Sequence, residues 1–279
     1  MGEAWFMSDT RRTFDELFTR PIAELPTSAF GSFLFELTSG ISSFGDADGE
    51  WSEWLAYCLP DLILRSHESH GLTPLIEPTI SAFMNVYWSA ELPPIYATFA
   101  TDIYCTLGRC LMKPELWGDR TTPRLGAMLG SRGGSSAALF WGRTSGDFSA
   151  AMFFALRYFP IAALPDWIDS LLEIAHPAWR ARLVTWLWGA TAMLRNPGAT
   201  SRDLERCKPP VDWENAHCLG PDGQSANPFI SPPTQARALA LFRERLESLL
   251  PRWSFAEAPE IARVMNELGI IDALFDALY

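Results

Sequence analysis

Residues 164–195 read LPDWIDSLLEIAHPAWRARLVTWLWGATAMLR. Leu164, Ile168, Leu171 and Leu172 recur at steps of three and four. Trp179, Leu183, Trp186, Leu187, Ala190 and Leu194 do the same after the break at Pro177. That spacing gathers apolar side chains on one side of an α-helix, whereas a half-buried strand needs alternation every second residue. Pro165 followed by Asp166 is a helix-start signal, since proline fits the first turn and an acidic group favours its positive end. The stretch therefore predicts two helices joined by a turn. Trp188 falls on the opposite side of the second helix from Trp186, so that helix is either covered on both faces or presents an exposed aromatic anchor.

The same texture extends outward in both directions. Trp51, Trp54, Leu55, Cys58, Leu59 and Leu62 form one stripe, with a shorter one at Phe14, Leu17 and Phe18. Leu239, Phe242, Leu246 and Leu249 form another, followed by Ile261, Val264, Met265 and Leu268 before Gly269, a stop residue. Start signals occur at Ser135-Ser136 after two glycines and at Pro233-Thr234. No run alternates as a strand would. The class is all-α, a single domain over residues 1–279 with roughly ten to twelve helices, and the frequent prolines predict short antiparallel hairpins.

Leu59-Pro60-Asp61-Leu62-Ile63 echoes Leu164-Pro165-Asp166-Trp167-Ile168. The segment opened by the second copy resembles one HEAT-type repeat. Leu164, Pro165, Ile168, Leu171 and Leu172 match that family's first helix. Arg180 or Arg182, Gly189 and Ala190 match its second. The resemblance covers 32 of 279 residues and implies a scaffold with an extended protein-binding surface. The two pentads lie 105 residues apart, which is not a clean multiple of the family's period of about 40–47 residues. The expected architecture is accordingly a set of irregular stacked hairpins, HEAT-like or an orthogonal helical array.

Composition bounds the function. With 48% hydrophobic and 20% charged residues the chain is globular. Its net charge of −11 is lodged in residues 1–104, which hold fifteen carboxylates against Arg11, Arg12, Arg20 and Arg65; the remainder is balanced, eighteen to eighteen. Phosphate backbones and anionic membranes need clustered Lys and Arg, so neither is an expected partner. Five cysteines without framework spacing suit a reducing, cytoplasmic setting, and Met1 to Met7 lack a secretory pattern. The greasiest windows, 149–165 and 183–194, are interrupted or too short to span about 30 Å of hydrocarbon.

Two stretches depart from the helical texture. Ser43 to Glu50 concentrates Asp46, Asp48 and Glu50, with Glu53 a turn later, and serves either as a helix-start cap or as part of an acidic binding face. Residues 207–235 form a proline-rich excursion whose Trp213, Phe229 and Ile230 predict that part of it packs down; Asp212, Trp213 and Glu214 are a second candidate contact. His67 and His70 share a helix face and could be half of a metal site, but no matched ligand pair accompanies them. Arg132, Gly133, Gly134 and Ser135 form a loop that could cradle a small anion in a locally basic region. No cofactor is expected, and no catalytic signature is present. Together these features point to a non-enzymatic module, of the kind that in bacteria acts as an immunity or inhibitor protein, neutralising a basic protein such as a toxin through its acidic face. The alternatives are a helical enzyme or sensor with a small-ligand or metal pocket, and a peptide-binding scaffold or regulator.

Overall fold

The computed structural model describes residues 15–46, 49–66, 75–89, 91–112, 129–130, 138–139, 145–207, 211, 213–221, 226–253, 266 and 269–279. Among them the α-helices are α1 (Asp15–Thr19), α2 (Thr27–Phe44), α3 (Glu50–Ser66), α4 (Ile76–Val86), α5 (Phe99–Thr106), α6 (Ser145–Tyr158), α7 (Leu164–Glu173), α8 (Pro177–Leu194), α9 (Pro232–Leu249) and α10 (Ile270–Leu278). Short 3-10 turns connect several of them. The extended pairing among the described residues is one two-residue antiparallel ladder, β1 (Leu129–Gly130) with β2 (Ala138–Leu139). The all-α class read from the apolar spacing is the observed one.

Local chemistry sets the helix ends where the sequence signals them. Pro165 stands in the first turn of α7 with Asp166 beside it. Ser231 caps α9, its hydroxyl accepting the Thr234 N–H at 3.3 Å, and Pro232 and Pro233 occupy positions that need no amide. Gly45, at φ 72°, ends α2 by donating its N–H to the Ile41 carbonyl. Pro60 lies inside α3, on the helix that the stripe from Trp51 to Leu62 predicts. It faces solvent, as does Ala56 one turn earlier, so water can satisfy the carbonyl that loses its partner.

One continuous buried cluster runs from Leu17 to Leu278. Its hub is α4, buried almost along its whole length and packed against α2, α3 and α6. The second half centres on α8, whose residues from Ala181 to Leu187 are all buried; α9 and α10 pack against it, and α9 also covers α6 and α7. Trp188 is half-buried against this core, while Trp186 is fully inside. Gly108 permits a close approach, since a Cβ there would lie 2.3 Å from the Phe159 ring. None of the described helices is long and apolar enough to cross a membrane.

The excursion packs down through a row of polar side chains on α4. Glu77, Ser81 and Asn85 are four residues apart, hence on one helix face. Glu77 Oε1 accepts from the Asn215 N–H at 3.0 Å and the Asn215 amide at 3.1 Å. Ser81 Oγ accepts the Trp213 indole N–H at 2.9 Å. Asn85 donates to the Cys218 and Thr38 carbonyls, each at 2.8 Å, and accepts the Gly220 N–H at 2.9 Å. Residues 213–220 are thereby strapped across α4, with Ser149 holding the Val211 carbonyl and Ser201 the Leu219 carbonyl.

Candidate functional site

The acidic turn before α3 divides its carboxylates between two jobs. Asp46 accepts the Trp51 and Ser52 backbone N–H groups, both at 3.0 Å, and the Ser52 hydroxyl. It is a helix cap, half-buried, and its oxygens are committed to the fold. Glu53 is exposed and Glu50 half-exposed. Asp48 lies outside the described residues.

Beyond the cap, α3 presents a two-sided helix. Leu55, Cys58, Leu59 and Leu62 are buried against the core. On the outward side Glu53, Tyr57, Pro60 and Leu64 follow one another at helical spacing and are all exposed. Tyr57 is 56% and Leu64 62% exposed, and the Tyr57 ring meets Trp54 edge-on at 5.9 Å. The stripe is acidic at its N-terminal end and apolar beyond. Phe35 and Phe44 of the adjoining α2 are also more than half exposed, so large apolar surface is concentrated in the part of the chain that holds the net negative charge.

The second sequence candidate is arranged differently. Trp213 is 6% exposed, with its ring near Phe153 and Phe229 and its N–H donated to Ser81, so its indole is a core anchor and is not presented to a partner. The physical reason is the strap: the polar row on α4 supplies the hydrogen bond a buried indole needs. Glu214 remains exposed, and Asp212 lies outside the described residues. The turn Glu214–Cys218 and α3 both pack on α2 and α4. His67, His70, Arg132, Gly133, Gly134 and Ser135 likewise lie outside the described residues. Among those described, no group of three or more His, Cys, Asp or Glu is arranged to hold a metal ion.

A buried ionic cluster was not anticipated. Asp147 of α6 accepts the Glu77 backbone N–H at 2.8 Å and so caps α4 from a neighbouring helix. Burial pushes the Asp147 carboxyl up to about 6, against the opposing pull of that N–H and the Arg182 charge. Burial, helped by Asp147 and Glu214, pushes Glu77 up to about 7 although Asn215 donates to it. Arg182, 1% exposed, is drawn down by burial, with Asp147 opposing the shift. A guanidinium keeps its proton and Asp147 balances it at a helix start, so the cluster is neutral when Glu77 is the protonated member. The signal was Arg182 itself, a charge next to Leu183 on the helix that also carries Trp179 and Trp186.

No family model, curated protein or solved structure matches the chain.

Proposed function

We propose that the chain is a protein-binding module that engages a basic protein through the outward face of α3, as an inhibitor or immunity-type protein would. The observation that supports this is the exposed stripe Glu53, Tyr57, Pro60 and Leu64, set in the third of the chain that holds all the net negative charge. An aromatic and an aliphatic side chain supply buried area on association, and the flanking carboxylates speed encounter with a cationic surface and select against acidic ones. The helix needs no rearrangement to serve, because its opposite face is anchored in the core. Glu214 extends the acidic rim on the neighbouring strap.

The test places a photo-crosslinking residue at position 57, with position 247 as an exposed control on α9, a helix that packs on α6, α7 and α8. A protein trapped at 57 alone is purified and mixed with the chain. A one-to-one complex with a basic protein should weaken as salt rises from about 0.05 M to about 0.5 M, which shortens the screening length from ~14 to ~4 Å. Joint Glu50→Lys and Glu53→Lys should weaken it by about 100-fold with the circular dichroism spectrum unchanged. Equal trapping at both positions, or a complex indifferent to salt and charge reversal, refutes the reading.

A further inference from the structure

A cleft of about 430 Å³ opens beside the start of α9. Trp88, Pro228 and Pro232 give it apolar walls, the Phe229 side chain itself being fully buried, and Arg157 of α6, only 9% exposed, lines it from the buried side. The guanidinium lies over the Trp88 ring at 4.1 Å, with Phe229 at 5.4 Å. One terminal nitrogen donates to the Phe229 carbonyl and the other to the Trp88 carbonyl, so the cation ties together the two backbone segments that frame the cleft.

Those two bonds use only part of what the guanidinium offers. It carries five N–H donors, and its buried Nε has no hydrogen-bond partner. Among the described residues no carboxylate pairs with it. Carbonyl dipoles and aromatic faces lower the cost of burying the charge but do not neutralise it. Nor does the end of α9 provide donors: Pro232 and Pro233 have no N–H, and that of Thr234 is taken by Ser231. The site has a positive charge with N–H groups beyond the two engaged, beside one aromatic wall, Trp88.

We propose that this cleft binds a small organic monocarboxylate, its carboxylate directed to Arg157 and its aromatic or short aliphatic body held against Trp88, Pro228 and Pro232. The volume falls at the small end of ligand pockets, roughly 300–1,000 Å³, and a single cation in a chain of net charge −11 favours a monoanion over a polyanion.

The test is calorimetry on the full chain with phenylacetate, hexanoate and the neutral isostere phenylacetamide. At least one carboxylate should bind about tenfold or more tightly than the amide, because only the anion satisfies the buried cation. Arg157→Gln should abolish binding, but this variant also removes a structural tie. Asn227→Trp therefore accompanies it, since Asn227 is an exposed rim residue and a bulky ring there should block the cleft without altering the melting temperature. The proposal is overturned if neither carboxylate binds at about 10 mM, if acid and amide bind alike, or if binding survives Asn227→Trp.

Discussion

Replacing Asn85 by alanine should detach the strap before it unfolds the protein. Asn85 is 1% exposed and makes three hydrogen bonds, to Thr38 on α2 and to Cys218 and Gly220 on the strap. Each bond contributes about 1 kcal/mol net, and the Gly220 N–H left buried without an acceptor costs about 1–2 kcal/mol more, so the expected loss is about 4–5 kcal/mol. Asn85→Asp should be worse than alanine. It keeps an acceptor for Gly220 but turns carboxylate oxygen toward two carbonyls. Urea denaturation measures the total, and amide hydrogen exchange locates it: residues 213–221 should lose protection well before α6 and α8. A loss below about 1 kcal/mol, or exchange that rises evenly over the whole chain, would show that the α4 polar row does not hold the strap.

Stability should fall as pH rises from about 5 to about 8, because Glu77, at about 7 in the fold against 4.5 unperturbed, keeps a proton that the unfolded chain has already lost; the effect approaches 3 kcal/mol, and Glu77→Gln should remove that part of the fall, leaving the smaller one from Asp147, raised to about 6 from 3.8. A profile that rises over this window in the native sequence would contradict the assignment. Gly108→Ala should destabilise by about 1–3 kcal/mol in thermal melts, since the new Cβ meets the Phe159 ring, and a neutral result would mean the ring moves freely aside. Only Cys105 should react rapidly with a disulfide reagent in the native protein. Cys58 and Cys207 are buried and pushed up to about 12 by that burial, with Cys110 buried and Cys218 half-buried, so two or more fast thiols would exclude this packing.

Helices were legible because their cause is local. The offsets of three and four in residues 164–195, the proline and aspartate at 165 and 166, and the start signal at Pro233-Thr234 act within one or two turns, and each appears where expected. Pro60 is tolerated inside α3 because the carbonyl it orphans can reach water, which spacing does not reveal. Trp213 has the composition of an interface residue, and only Ser81, 132 positions earlier, turns it inward. Glu77 and Asp147 are 70 residues apart, and Asn215 is a further long step away, so no window of sequence contains the cluster. Arg157 gave a partial sign, as the one basic residue in the apolar run from Phe148 to Phe159. The acidic turn was visible, but its division into a cap at Asp46 and an outward Glu53 required the helix to be in place.

The strap also imposes an order on synthesis. Its bonds to α4 join positions 132 to 138 residues apart, so the closing chain loop is among the longest the molecule must form. Between the emergence of residues 77–85 from the ribosome and that of residues 213–220, Glu77, Ser81 and Asn85 are outside it while their counterparts are not. During that interval α4 carries polar groups on a face meant for burial, and the surrounding apolar side chains stay open to water. A stalled or truncated product ending before Val211 therefore cannot seal its first half, and it is in that species that aggregation and chaperone engagement should concentrate.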